Sequence, residues 1–510
     1  MSPFLRKVLY LYSLAYPPIP RFCAPGHDPL YSSTNPSQRS RGPRKEGDIS
    51  SVFASLSGSM TPPPRFADIK SKLIHNREAA IQASWSRLLK ALRSEIDHIS
   101  STGSDIIPSM EFSEIKNHSR VLPFASALKK RGAAIIRGVV EQEVALSWKE
   151  EIRSYIKANP TTKAFPADIP AVFELYWSPG QMKARAHPNM LETQRFLLSF
   201  WHAKEPSAAI DINYTVSYAD RLRIRQPGDA GFALGAHVDG GSVERWEPEG
   251  YGIGDPYASI FAGQFEEFDP WECSTRINVE SDLYDGAGAC SMFRMFQGWL
   301  SMSGTGPGEG TLLVNPLFSL ATSYFLLRPF FSAINPDPSK NGYLEEQNWQ
   351  LDTIQTPLLQ GASLGCTQEL TDALHPHLEL SKTMIHVPRV NPGDYVAWHC
   401  DSLHAVDKIH KGTGDSSVLY IPACPLTETN VRYLVRQRAA FLEGTPGPDF
   451  PGGVGERAHV GRMSQSDVHA AGGIEGLRAM GLEQWNIDGA KTEWETSFLR
   501  EMNRCLDLPT

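Results

Sequence analysis

The sequence is poor in cysteine and has no Cys-X-X-Cys spacing. Its seven thiols (Cys23, Cys273, Cys290, Cys366, Cys400, Cys424 and Cys505) are scattered over 510 residues. An odd, dispersed set excludes a disulfide framework and fits a reducing compartment, with most thiols expected free and buried. No apolar run is long enough to span a bilayer. Positive charge is not in surplus. The 49 Lys and Arg residues face 57 Asp and Glu residues, for a net charge of −8 and a pI near 6.0. That balance argues against a general nucleic-acid binder. There is no internal repeat, no P-loop and no dinucleotide fingerprint. What remains is an ordinary globular composition, long enough for one large domain or two with an ample core.

Residues 1–59 stand apart in charge. They hold Arg6, Lys7, Arg21, Arg39, Arg41, Arg44 and Lys45 against only Asp28, Glu46 and Asp48, with many serines and prolines. Such a segment is either an organellar transit peptide or a disordered extension, and its prolines interrupt any long amphipathic helix, which favours disorder. Met60, just before Thr61-Pro-Pro-Pro64, is an alternative start. The expected location is cytoplasmic, or mitochondrial if residues 1–59 act as a transit peptide. Residues 60–510 are expected to form a single large domain.

The informative stretch is Gly235-Ala-His-Val-Asp-Gly-Gly-Ser-Val-Glu-Arg-Trp246. His237 and Asp239 are two residues apart, so on an extended strand they project from the same face. Gly240 and Gly241 then predict a tight turn. A third ligand is offered far downstream in Asn391-Pro-Gly-Asp-Tyr-Val-Ala-Trp-His-Cys-Asp-Ser-Leu-His-Ala-Val406, where His404 follows a turn, a strand and a second turn. Two histidines and one carboxylate on one face of a metal form the triad of non-haem Fe(II) oxygenases. An isolated His-X-Asp is commonplace. This one has glycines on both sides and a strand-like run, Arg221 to Arg225, leading to Pro227-Gly228 and the motif.

Periodicity places the other elements. A 3.6-residue apolar repeat predicts a helix from Ala67 to Ile99. Gly132 to Val140 is β-branched and reads as a buried strand. Glu141 to Ala158 reads as a helix stopped by Asn159-Pro160. Ser291–Ser303, Thr311–Asn315, Glu379–Val390, Tyr395–Trp398 and Ser417–Ile421 read as strands. Helices are expected up to Arg328-Pro329, over Asn430–Phe441, and at Ile474–Met480 and Glu493–Leu506, with residues 444–473 as loop. His375-Pro-His377 reads as a surface turn, because the proline spoils strand geometry. Short strands divided by turns suggest a mainly β chain with flanking helices. Its core would be a double-stranded β-helix, a jelly-roll relative, over about Arg221 to Ile421.

These stretches carry a resemblance. Arg221 to Trp246, Arg294 to Ser303, Gly308 to Leu312, Leu326 to Phe330, Pro392 to Val406, Asp415 to Pro422 and Asp449 to Pro451 are similar to the 2-oxoglutarate/Fe(II) dioxygenase superfamily. Within it they most resemble the YbiU-like group, a family of unknown function. The likeness runs from roughly Pro64 to the C-terminus. It implies Fe(II) held by His237, Asp239 and His404, and 2-oxoglutarate as co-substrate, converted to succinate and CO2 while a small molecule is oxidised. A retained Asp239 favours hydroxylation over halogenation. The pattern selects His404 rather than His399 as the distal ligand.

One feature departs from the superfamily. The far carboxylate of 2-oxoglutarate calls for a cation, best a bidentate arginine, yet Ala405 to Pro422 contains only Lys408 and Lys411. Arg294 is the replacement candidate, with Arg223 and Arg225 behind it; each could equally serve a structural ion pair. The alternative reading is a catalytically silent jelly-roll protein that binds a metal or metabolite.

Overall fold

Two sheets carry the centre of the molecule in a computed structural model, which describes residues 61–231, 234–286 and 288–508. The expectations for residues 1–59 lie outside the described residues. From edge to edge the large sheet runs Ser109–Glu111, Ala133–Arg137, Tyr395–His399, Phe296–Ser301, Ser416–Tyr420, Leu222–Arg225, Val172–Phe173, Ala164–Phe165. The small sheet runs Gln368–Glu369, His237–Val238, His404–Val406, Leu312–Val314, Ile385–His386. Within the two sheets only the first pair is parallel; the others are antiparallel. That pattern excludes a doubly wound parallel sheet. Long helices before and after the sheets make the architecture mixed helix and sheet rather than mainly β. Among the described residues, no helix is long and apolar enough to cross a membrane.

The strand Ala133–Arg137 is buried on both faces, which is why its sequence is continuously apolar instead of alternating. Gly132 caps the preceding helix at φ +72°, and a Cβ there would meet the Phe318 ring at 2.6 Å. The long N-terminal repeat forms two helices, Arg65–Ile74 and Glu78–Thr102. They divide at Asn76, whose φ of +62° is left-handed; asparagine tolerates that conformation better than most residues. The second helix buries Ile81, Trp85, Leu88, Leu89, Leu92, Ile96 and Ile99, each aliphatic side chain contributing roughly 1.5–3 kcal/mol. Trp85 stacks on Phe331 at 4.2 Å and on Tyr324 at 5.3 Å.

Four expectations are corrected. Glu379–Val390 is not one strand: Glu379 has φ +44°, Leu380–Thr383 is a helical turn, and only Ile385–His386 pairs. Residues 444–473 are not all loop, because a Ser464–Asp467 capping box starts a helix at Gln465, and the Gln465–Ala479 element breaks at Gly473, whose φ is +61°. Gly472 serves close packing: a Cβ there would lie 2.1 Å from the Ala186 carbonyl oxygen. The strand expected from Ser291 begins only at Phe296, so Arg294 precedes it. His375-Pro-His377 is a turn, as expected, but a buried one. His377 Nδ1 lies 3.0 Å from the Tyr324 hydroxyl, and its ring sits edge-on to Trp349 at 4.7 Å. Aromatic residues from three elements close over a turn whose local sequence reads as exposed.

Candidate metal centre

His237 and His404 are direct cross-strand partners in the small sheet. Opposed residues of an antiparallel pair project to the same side, and their rings stand 4.2 Å apart. Asp239 follows the short strand, two residues after His237 and on the same face. Its Oδ1 lies 3.7 Å from His237 Nε2 and its Oδ2 lies 3.6 Å from His404 Nε2. The three ligand atoms all fall within 4.8 Å of one another.

The imidazoles are oriented from behind. His237 Nδ1 donates to the Gly235 carbonyl at 2.8 Å, and His404 Nδ1 to the Ser402 carbonyl at 3.0 Å. A carbonyl only accepts, so each Nδ1 carries the proton and each Nε2 presents a lone pair to the shared point. Burial first, and His404 second, push His237 down to about 4, so it is neutral. Burial works against the Asp239 carboxylate, but His404, His237 and Arg294 hold its pKa well below the usual range. A neutral imidazole and an ionised carboxylate are the forms that bind metal. The side chains of both histidines are 6% exposed and that of Asp239 is 28% exposed, so the group opens on the carboxylate side.

The turn after Asp239 is fixed by a residue that sequence reasoning missed. Gly240 and Gly241 have φ of +78° and +91°. Arg245 Nη2 donates to the Asp239 carbonyl at 2.6 Å, Arg245 Nη1 donates to the Gly241 carbonyl, and the Tyr251 hydroxyl donates to the Gly240 carbonyl. Because the acceptors are backbone oxygens, no side-chain pattern marks them.

His399 faces away. It is fully buried and stacked on Trp201 at 4.5 Å. Its Nε2 donates to the Pro270 carbonyl and its Nδ1 accepts from the Asp401 amide. With both nitrogens committed, and Asp401 held by Arg276 at 2.6 Å, the neighbouring His399–Cys400–Asp401 group has no ring nitrogen to offer.

The triad borders a cavity of about 150 Å³ whose lining includes Arg223, Arg294, Gln297, Trp299, Trp398 and Tyr420. Arg294 is partly buried. Burial works to lower its pKa, but its neighbours, Cys290 and the Asp239 carboxylate among them, outweigh this and hold it up, so it is a cation. Arg223 donates to the Gly310 carbonyl and to Ser416 Oγ. Arg225, the remaining arginine candidate, is absent from the cavity lining, pairs with Asp229, and donates to the carbonyls of Asp407 and Lys408. Lys408 and Lys411 are exposed.

The Gig2-like family model matches residues 60–482, and the chain belongs to that family. It is 31% identical over 401 residues to the uncharacterized protein YbiU of Escherichia coli strain K12, covering 76% of this chain and 88% of YbiU. The crystal structure of GlcNAc Inducible Gene 2, GIG2, from Candida albicans is similar with a TM-score of 0.77 and 32% identity, covering 88% of this chain and 96% of that one. A hypothetical protein from Escherichia coli matches with a TM-score of 0.69 and 28% identity, covering 84% of this chain and 100% of that one.

Proposed function

We propose that this protein is a non-haem Fe(II)- and 2-oxoglutarate-dependent oxygenase acting on a small molecule. Its large and small sheets would be the two halves of a double-stranded β-helix around the cavity. The observation that carries this reading is the donor set. Two Nε2 lone pairs and an ionised carboxylate meet at one point, each imidazole is braced through Nδ1, and a cavity lies on the open side. Neutral imidazoles with one carboxylate suit Fe(II) and leave coordination positions free. His237, Asp239 and His404 would hold the metal. Bound there with 2-oxoglutarate and dioxygen, the metal would supply the oxidising equivalent for C–H oxidation.

The chain's own residues do the rest. Arg294 binds the far carboxylate of 2-oxoglutarate by charge. Trp299, Trp398 and Tyr420 give the cavity an aromatic wall that limits water. Arg245 keeps Asp239 in place by holding its backbone. Asp239 occupies the position whose loss would favour halogenation, so the reaction is hydroxylation or a similar oxidation. The test is an anaerobic Fe(II) titration followed by measurement of succinate with and without a metabolite pool. Stoichiometric Fe(II) binding and pool-stimulated succinate are expected. Metal binding without any succinate would leave a silent metal- or metabolite-binding protein.

A further inference from the structure

The ionised groups on the wall of the triad cavity do not cancel among the described residues. Asp220 and Arg221 pair at 3.1 Å. That leaves Arg223 and Arg294 against Asp239, a surplus of one positive charge. A divalent metal and the dianion 2-oxoglutarate would cancel each other, so the surplus outlasts the loading of the centre. With Arg294 given to 2-oxoglutarate, the surplus resides on Arg223. This residue is 3% exposed, and its hydrogen bonds to the Gly310 carbonyl and Ser416 Oγ go to neutral oxygens. Burial pushes its pKa below the ordinary arginine value, and the neighbouring Arg225 adds to this, but an arginine stays a cation at neutral pH.

The wall beside Arg223 is apolar. Val172 is its direct partner on the neighbouring antiparallel strand, so the two side chains leave the sheet on the same side. Leu234 and Val406 pack against Val172, and all four residues line the cavity together with Leu312. Arg294 has a different setting, with the Asp239 carboxylate of the triad among the groups that act on it. A cation in surroundings of low polarity is costly until an anion meets it. The planar guanidinium matches a carboxylate, and aliphatic walls match an apolar body.

We infer that the substrate is itself an acid: a small molecule with one carboxylate seated on Arg223 and an apolar body lying on Val172, Leu234 and Val406. This rests on the oxygenase reading of the same cavity and deepens it by naming the class of molecule that is oxidised. A neutral substrate would leave the surplus charge buried and unmet, and a cationic one would add to it. A second dianion would overshoot it. A monocarboxylate with an apolar chain satisfies both the charge and the wall.

The test is calorimetric titration of hexanoate, and of hexanamide as its neutral counterpart, into the full chain loaded with Mn(II) and saturating 2-oxoglutarate under anaerobic conditions. Hexanoate is expected to bind, and hexanamide to bind at least about tenfold more weakly, because only the former makes the charged hydrogen bonds. Arg223→Gln should weaken hexanoate about tenfold or more and leave hexanamide unchanged, with 2-oxoglutarate still bound. The comparison of the two ligands on the unmutated protein needs no variant, and it stands if Arg223→Gln misfolds. Equal affinity for hexanoate and hexanamide, or no binding of either, overturns this inference and leaves the oxygenase reading in place. So does hexanoate that binds only when 2-oxoglutarate is left out, since it then occupies the co-substrate's seat. Loss of 2-oxoglutarate instead of hexanoate in Arg223→Gln overturns the assignment to Arg223. If 2-oxoglutarate itself fails to bind the Mn(II)-loaded protein, the oxygenase reading falls and this inference falls with it.

Discussion

Two pairs of histidines lie buried in this molecule, and they have opposite uses. His237 and His404 face each other across the small sheet, with Asp239 between their Nε2 atoms and a cavity beyond. His375 and His377 lie in a tight turn packed under Trp85, Tyr324 and Trp349. Both environments lower pKa values by burial: His237 to about 4, His375 and His377 to about 3. The nearest formal charge makes the difference. It is a carboxylate beside the first pair and the Arg328 guanidinium beside the second, where it is the next cause of the lowering after burial. A dication is drawn to the first pair and repelled from the second. Burying two imidazoles together does not make a metal site. An ionised carboxylate and an open side are needed as well.

The comparison breaks most directly at the carboxylate. Asp239→Asn and His404→Ala should each reduce Fe(II) affinity by about 100-fold or more, since removing a ligand costs at least as much as removing its support. His375→Ala should leave Fe(II) affinity unchanged. Anaerobic Fe(II) titration of the three variants decides it, and tight binding to Asp239→Asn would remove the proposed centre. A second, smaller effect is expected on the open side. Arg294→Ala should weaken 2-oxoglutarate binding by about 3 kcal/mol and at most about 5, the usual range for truncating a buried charged pair, while the metal still binds. Unchanged affinity by anaerobic titration would move the far-carboxylate role to Arg223. Smaller again is the effect of the turn clamp. Arg245→Lys keeps the charge but cannot reach the Asp239 and Gly241 carbonyls as a fork. Fe(II) affinity should fall about tenfold, and a variant that binds like the unmutated protein would show that Gly240 and Gly241 need no clamp.

The pairing of His237 with Asp239 was legible because it follows from a local rule: spacing of two puts them on one face, and glycines end the strand. His404 was offered by a turn–strand–turn pattern, but it was the family resemblance that selected it over His399, since its place opposite His237 depends on register between distant strands. Strands with strong apolar content, such as Ala133–Arg137 and Tyr395–His399, were legible for the same reason. Whatever depends on register between distant strands was not. Gln297 opposes Trp398 only because Phe296–Ser301 lies beside Tyr395–His399, and no local pattern states that. Arg245 was missed because its acceptors are backbone carbonyls. The helix break at Asn76 was hidden because the apolar period runs on through it. The burial of His377 was hidden because a proline turn reads as surface until Trp85, Tyr324 and Trp349 are brought over it from elsewhere in the chain.

The second histidine pair yields the smallest effect and the one that isolates burial from metal binding. The His377 side chain is held neutral in the fold, with its pKa at about 3, whereas an unfolded histidine titrates near 6.5. The folded value is depressed. Above about pH 6.5 neither state binds the proton, and the contribution of this residue to stability is complete. As pH falls below about 6.5 the unfolded chain takes up a proton that the fold rejects, so stability declines continuously towards about pH 3. His375 acts in the same sense. Replacing His377 by Phe keeps an aromatic ring against Trp349 and gives up the 3.0 Å bond with the Tyr324 hydroxyl. At pH 7 that loss should cost about 1–3 kcal/mol, the penalty for leaving a buried hydroxyl without its partner. Between pH 6.5 and pH 5 the unmutated protein should lose stability more steeply than the Phe variant, because only the former has this proton to gain on unfolding. Metal-free protein is the right sample, since a bound ion at His237 and His404 would add a pH dependence of its own. Urea melts of both proteins across that range read the slope, and parallel curves would show that His377 takes up its proton alike in the folded and unfolded states.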